Sequence, residues 1–455
     1  MSATGASYRT AVCITVIVLL TVSAQFQRFL QSYKDESAAT FQPASPSQSP
    51  SKARKEFIGD FQVYYIASFV VRHEPDHRLY YPQPGGQIFM DNVPQQTPWG
   101  EAARSAGFNS TMPFNYPPFA AVFLEPLSVL KWAPALLVWR VVLVGVVLLS
   151  VYFSVLLTGL DYRWLKFGLA AVAAFSFFPL IETLLEGQID PFILLFWVLG
   201  IYLFEKGRSV ESAFVFALGT VLKLSPAMVI GLFLLRRRWK WLASYALSLA
   251  VLCAVSVWRL GWSNHVIFVR EVMPKLSCGM ALLGNRSLPG LIYDIGLHRV
   301  PLEAGPLPSA ALCSLVKVIG LVLYIGSLFL LWRRNQTKSL PVYEFMPLAL
   351  LTLLISPVSW RHHYLLALLP LIYLWSYDVR RRFDLAVLAI ATLSIGTVFA
   401  DYLITAVHNP ALDLALVSLT PLSTLFLLWV ARRDQCAAAM DAEGVVSAAS
   451  SSRSF

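Results

Sequence analysis

The polar residues of this chain that could do chemistry fall in six short, widely separated segments. Asp60 stands in Gly59-Asp60-Phe61, with Tyr64 one turn later; Asn115 and Tyr116 stand in Phe114-Asn115-Tyr116-Pro117-Pro118-Phe119. Gln188 and Asp190 lie in Glu186-Gly187-Gln188-Ile189-Asp190, and Lys223 in Leu222-Lys223-Leu224-Ser225-Pro226. Arg286 lies in Asn285-Arg286-Ser287, and His362 and His363 end the run Ser356-Pro357-Val358-Ser359-Trp360-Arg361-His362-His363. Together they suit sugar transfer from a lipid phosphate. A carboxylate at a membrane surface serves as base toward a sugar hydroxyl. Lysine, arginine and histidine stabilise the negative charge on a departing phosphate, while amides such as Gln188 and Asn115 orient hydroxyls through paired donors and acceptors.

Each candidate also has a plainer reading. Asp60 and Asp190 both stand at helix starts, where an aspartate commonly caps the first turn. Lys223 could simply extend its ammonium toward the interface. Tyr64, Tyr65, Tyr116 and Trp360 suit an interfacial aromatic belt. His362-His363 has no spaced third ligand, which argues against a metal, and proton chemistry or phosphate contact remains open to the pair. Asn109-Ser110-Thr111 and Asn285-Arg286-Ser287 match the glycosylation acceptor pattern, a triplet that arises readily by chance. The five cysteines are scattered, without a C-x-x-C pair, and support neither a disulfide frame nor a zinc site. No Gly-rich phosphate loop, nucleotide fold or hydrolase triad is visible.

The elements that must position these residues follow from composition. Of 455 residues, 57% are hydrophobic and 14% charged, with a mean hydropathy of +0.61; a soluble domain could not cover itself. The net charge of +10 lies in short clusters between apolar runs, a topology signal rather than a nucleic-acid face. Apolar stretches run over 11–30, 133–158, 167–184, 189–204, 240–260, 313–332, 342–357, 363–378, 383–403 and 411–431. The clusters at Arg163/Lys166, Lys206/Arg208, Arg236–Arg238 with Lys240, Arg333/Arg334, Arg380–Arg382 and Arg432/Arg433 predict the cytoplasmic side. Segment 209–235 then has cytoplasmic charges at both ends, so the break at Lys223 and Ser225-Pro226 predicts a hairpin of two short helices.

The predicted protein is all-α and polytopic, with about twelve spans of which several fall short of the ~20 residues a bilayer demands. It has a first helix in 1–30, an extracytoplasmic loop over 31–132, a bundle over 133–260 and a second external loop over 261–312. C-terminal helices over 313–431 and a cytoplasmic tail over 432–455 follow. The first helix is also open to a signal-peptide reading, because Val22-Ser23-Ala24 resembles a cleavage site. Residues 37–52 read as a low-complexity tether. Phe57, Phe61, Tyr64, Tyr65 and Phe69 predict an amphipathic helix lying on the outer surface, with a second over 118–131. All six polar segments then share the external side.

The ordered series resembles glycosyltransferase family 87. The likeness begins at Gly59-Asp60-Phe61-Gln62-Val63-Tyr64-Tyr65 with Leu79-Tyr80 and passes through Phe114–Phe119, Pro126-Leu127 and Gly187–Asp190. It continues through Leu222–Pro226 with Arg236-Arg237-Arg238-Trp239 and ends at Ser356–Trp360 with His362-His363-Tyr364, covering about 57–375. It implies a GT-C fold at the plasma membrane, with an active site opening at the outer leaflet. It further implies inverting transfer from a polyprenyl-phosphate sugar, most often mannose, with no nucleotide sugar, no cofactor and usually no essential metal. Asp60 matches the family's general base. Lys223, Arg286, His362 and His363 are candidates for the phosphate, and Tyr64, Asn115, Tyr116, Gln188 and Asp190 for the remaining substrate contacts. The expected partners are a polyprenyl-phosphate-sugar donor, a glycolipid or glycan acceptor and membrane lipids, with no nucleic acid. The competing reading is a transporter or flippase of lipid-linked saccharides, which would be expected to show internal repeats and ionisable residues at the bilayer midplane. A non-catalytic scaffold in envelope assembly is a third.

Overall fold

A computed structural model describes residues 10–24, 59–74, 78–80, 93, 96–108, 111–159, 163–280, 284–296, 308–334, 340–376, 382–397, 415 and 418–428. Among the described residues every regular element is helical. The N-terminal half runs α1 (Thr10–Ala24), α2 (Phe61–His73), α3 (Pro98–Ser105) and α4 (Pro118–Leu124), which tightens into a 3-10 turn over Glu125–Val129. Next come α5 (Trp132–Leu157), α6 (Arg163–Phe175), α7 (Phe178–Glu186), α8 (Asp190–Glu205), α9 (Ser209–Leu222) and α10 (Val229–Leu235). The C-terminal half runs α11 (Trp239–Ile267), α12 (Met273–Cys278), α13 (Leu288–Gly296) and α14 (Ala310–Arg334). It closes with α15 (Phe345–Ile355), α16 (Leu368–Ser376), α17 (Arg382–Gly396) and α18 (Ser418–Leu428).

Three runs are long and apolar enough to cross a bilayer: α5, the continuous stretch Trp239–Cys278, and α14; α6 and α7 form a fourth if their 64° bend lies within one span. The other apolar runs form shorter helices, including α1, α9, α15, α17 and α18. This is a helical membrane protein. The stretch Trp239–Cys278 goes well past the predicted limit of residue 260. It bends at Gly261, whose φ of 76° suits glycine, and passes through a π turn over Phe268–Val272.

The helices pack through apolar faces, α8 between α5 and α9, and α9 against α11. Phe233 stacks flat on Trp241 at 3.6 Å between centroids, and Trp241 on Tyr245 at 5.2 Å. One charged pair sits inside: Arg236 Nη2 donates to Glu344 Oε1 at 2.6 Å with both side chains buried. Arg236 is therefore an internal tie as well as a member of a basic cluster.

Helix α2 differs from the expected surface helix. Ten of its residues are buried, Phe61 to Ser68 in succession, so protein covers it nearly all round. Two glycines allow its N-terminus to touch the end of α7. Gly59 has φ 87°, and a Cβ there would lie 3.0 Å from Glu186 Cα. Gly187 has φ 70°, and a Cβ there would lie 2.7 Å from Phe61 Cβ. Only glycine supplies both the left-handed backbone and the clearance, and Trp139 Nε1 locks the contact by donating to Gly187 O at 2.7 Å.

Candidate active site

That contact brings the turn before α2 and the turn before α8 to one cavity of about 630 Å³. Asp60, Asn115, Tyr116, Gln188, Asp190, Lys223, His362 and His363 all line it. Its remaining wall is largely apolar, with Ile193, Met228, Phe268, Met273, Leu276 and Leu353 among the lining residues. The lining thus combines a set of charged and polar groups with apolar surface suited to a hydrocarbon chain.

Asp60 occupies the N-cap position of α2, yet its side chain makes no capping hydrogen bond, so the capping role open to it is not used. Its backbone carbonyl accepts from Val63 N–H at 3.0 Å, and the carboxyl is left to face the cavity. Burial lifts that carboxyl from its ordinary 3.8 to about 7; the nearby Lys223 ammonium opposes the rise, and the charges of Asp190 and Glu182 add to it. A carboxylate titrating near neutrality is well matched to taking a hydroxyl proton.

Asp190 does not cap either. It is the first residue of α8, and its Oδ1 accepts from Lys223 Nζ at 2.8 Å. Lys223 stands at the broken end of α9 in extended conformation, φ −154° and ψ 125°, so its ammonium turns into the cavity instead of running to an interface. The Ser225-Pro226 sequence starts a 3-10 turn at this point, which is why the helix stops where the lysine is needed.

The tyrosines expected in an aromatic belt are internal. Tyr64 Oη lies 2.6 Å from Tyr116 Oη and 2.8 Å from Gln188 Oε1, and Tyr116 Oη lies 3.3 Å from the same Oε1. Tyr65 Oη donates to Leu130 O at 2.8 Å. Tyr64 stands behind the cavity wall and fixes Tyr116 and Gln188, which line it.

The histidines enter on the 3-10 segment Arg361–Ala367 after the Pro357 loop. Burial holds His362 down at about 3, the Asp190 charge opposing the fall and those of Lys223 and Arg361 adding to it. Trp360 N–H donates to His363 Nδ1 at 3.2 Å. A third potential metal ligand does exist in space, because Asp190 brings a carboxylate oxygen within 4.8 Å of ring nitrogens of both histidines. That corrects the sequence argument, which found no third ligand. The donor set still fits an anion better than a cation: Lys223 already holds one Asp190 oxygen, and Trp360 N–H holds the His363 Nδ1 lone pair.

Three further features of the sequence find their place in the structure. Arg286 is buried away from the cavity lining; its N–H donates to Ser359 O at 2.8 Å and its carbonyl accepts from Tyr364 Oη at 2.6 Å. Asn285 cannot be a glycan acceptor, since it is fully buried and its Nδ2 donates to Met280 O and Pro357 O; Asn109 and Ser110 lie outside the described residues, as does the 37–52 tether. A disulfide exists where scattered spacing suggested none: Cys278 and Cys313 are joined, S–S 2.04 Å, across a separation of 35 residues. It ties α12, which supplies Met273, Leu276 and Ser277 to the cavity, to the start of α14. The sequence reading also passed over Glu182 as a site residue, although its spacing of four from Glu186 puts both on one helix face.

The model of glycosyltransferase family 87 matches residues 114–357, more than half of the chain. The chain is similar to a polyprenol-phosphate-mannose-dependent alpha-(1-2)-phosphatidylinositol mannoside mannosyltransferase of Mycolicibacterium smegmatis, 27% identical over 66% of this chain and 69% of the relative. A protein of the same description from Mycobacterium tuberculosis is 27% identical over 72% and 77%. A polyprenol-phosphate-mannose-dependent alpha-(1-2)-phosphatidylinositol pentamannoside mannosyltransferase of Mycobacterium tuberculosis is 30% identical over 59% of each.

Proposed function

Because the chain belongs to glycosyltransferase family 87, we propose that its cavity transfers a mannosyl group from polyprenyl-phosphate-mannose to a hydroxyl of a lipid-borne mannoside. The relatives act with polyprenol-phosphate-mannose on phosphatidylinositol mannosides, which supports this donor and an acceptor of that kind. Family membership also favours an enzyme over a carrier of lipid-linked saccharides. The observation that carries the reading is that Asp60, elevated to about 7, opens onto the same cavity as Lys223 and the two histidines, with an apolar wall beside them.

The reaction divides among these groups as follows. The Asp60 carboxylate takes the proton of the acceptor hydroxyl as its oxygen attacks the anomeric carbon. The bond from that carbon to the phosphate oxygen breaks, its electron pair staying with the polyprenyl phosphate. The Lys223 ammonium balances the charge that develops there, with the imidazoles of His362 and His363 beside it in the cavity. Attack opposite the leaving phosphate inverts the centre, so a β-linked donor gives an α-linked product. The apolar wall seats the first isoprene units.

In the membrane we assign about twelve spans, a GT-C arrangement, cytoplasmic ends and a plasma-membrane site facing the extracytoplasmic side. The basic clusters support that orientation. So does the Cys278–Cys313 bond, since disulfides persist in oxidising compartments. The test is transfer of radiolabelled mannose from polyprenyl-phosphate-mannose by membranes carrying the parent or Asp60→Asn at equal protein levels. Loss of label in the variant alone establishes reaction and base together; equal incorporation removes Asp60 from the mechanism.

A further inference from the structure

Helix α7 carries two carboxylates that the reaction above does not use. Glu182 and Glu186 stand one turn apart on the same face, and each Oε2 lies 3.7 Å from His362 Nδ1. The imidazole is thus flanked on its Nδ1 side by two acids from a different element, which leaves Nε2 as the ring nitrogen for the cavity that His362 lines. The other charged groups around it are Asp190, Lys223 and Arg361, and the His363 ring is packed edge-on at 4.6 Å. The His362 side chain is almost fully buried, whereas Glu186 is more than a third exposed.

Resting on the proposed reaction, we infer that Glu182 and Glu186 are positioning residues: they hold the Nδ1–H of His362 so that Nε2 faces the phosphate of the donor. The physical reason lies in the charge count. A buried imidazole next to Lys223 and Arg361 resists protonation, yet a phosphate needs a donor, not a lone pair, from that nitrogen. Burial, with the Asp60 and Glu182 charges adding to it, pushes Glu186 up to about 8, so the α7 pair holds a proton before the phosphate arrives. The imidazolium that forms when it arrives favours ionisation of both acids, which then compensate it. They also define the tautomer and the ring direction, as carboxylates do for imidazoles in other sites. Asp60 stays with the acceptor hydroxyl, so the two acids on α7 and the base on α2 serve opposite ends of the breaking and forming bonds.

The test is equilibrium binding of polyprenyl phosphate, which needs no turnover, to the full-length protein in lipid nanodiscs at fixed pH and salt. Parent, E182Q/E186Q, His362→Asn and the triple variant are compared, with Asp60→Asn as control. The inference expects E182Q/E186Q to weaken binding by roughly 10- to 100-fold, with His362→Asn doing the same. The triple variant should be no weaker than His362→Asn alone, because acids acting through His362 have nothing left to act on. Glu186→Asp should recover part of the affinity, and the thermal midpoint guards against a folding defect; if E182Q/E186Q does not fold, Glu186→Gln at the more exposed position takes its place in the cycle. Independent losses that multiply in the triple variant, unchanged binding in E182Q/E186Q, or a parent that does not bind polyprenyl phosphate would overturn the inference. Asp60→Asn separates the two failures, since it removes a negative charge from the cavity and should bind polyprenyl phosphate at least as tightly as the parent while failing in transfer.

Discussion

Lifting the Asp60 carboxyl from 3.8 to about 7 costs its ionised form about 4 kcal/mol, and the pH dependence of transfer should expose that cost. Only the ionised carboxyl can accept the hydroxyl proton, so activity must rise with pH through the value of the folded protein. At pH 6 about one molecule in ten has Asp60 ionised, and at pH 8 about nine in ten. The ratio of kcat to KM should therefore climb about tenfold between them, while an ordinary carboxylate would give a flat profile. The donor phosphodiester keeps one negative charge throughout this range; Glu186, which burial pushes up to about 8, ionises within it, and its charge broadens the limb by raising Asp60 further. Two substitutions move the limb in opposite directions. Lys223→Met removes the main charge holding Asp60 down, so the limb shifts above that of the parent. Asp190→Asn removes a like charge and shifts it below. The assay is initial-rate mannosyl transfer at low donor concentration between pH 5 and 9. An acid limb near 4, or a limb that neither variant moves, would refute the assignment of Asp60 as base and the electrostatic account of its elevation.

The close contact of α2 with α7 should be intolerant of a methyl group. Gly187→Ala adds a Cβ 2.7 Å from Phe61 Cβ at φ 70°, so we expect a loss of about 1–3 kcal/mol in thermal stability together with reduced transfer. Breaking the buried pair by Arg236→Met should cost about 3–5 kcal/mol, and the double change R236M/E344L should recover much of it; denaturation in detergent reads both. Cys278→Ser should remove the cross-link seen by mass spectrometry of non-reduced peptides. By loop entropy it should cost about 3–4 kcal/mol, with donor KM raised because α12 walls the cavity.

Much of this protein was legible from the order of its residues. Long apolar runs punctuated by Arg and Lys require a lipid environment whatever the packing, because composition alone sets the cost of exposing them. The break at Lys223 was readable because proline cannot continue a helix. Eight of the ten candidate residues line one cavity, and Tyr64 stands directly behind two of them; their chemistry stood out because polar side chains are rare in so apolar a chain.

What the tertiary structure alone decided were the relations between distant segments. Asp60 looked like a cap until its carboxyl proved to face the cavity, and Asp190 until it met Lys223, 33 residues away, at 2.8 Å. Arg286 and Asn285 carry the same polar groups as the residues that line the cavity, but both are buried outside that lining, with the Arg286 backbone N–H tied to Ser359 O and the Asn285 amide to Pro357 O. Cys278 and Cys313 had no spacing to announce a bond, and Glu182 and Glu186 gained meaning only when His362 arrived between them. Local sequence encodes hydropathy, helix breaks and side-chain chemistry, which act over a few residues. The protonation, pairing and direction of a side chain depend on charges and atoms that the fold brings from elsewhere in the chain.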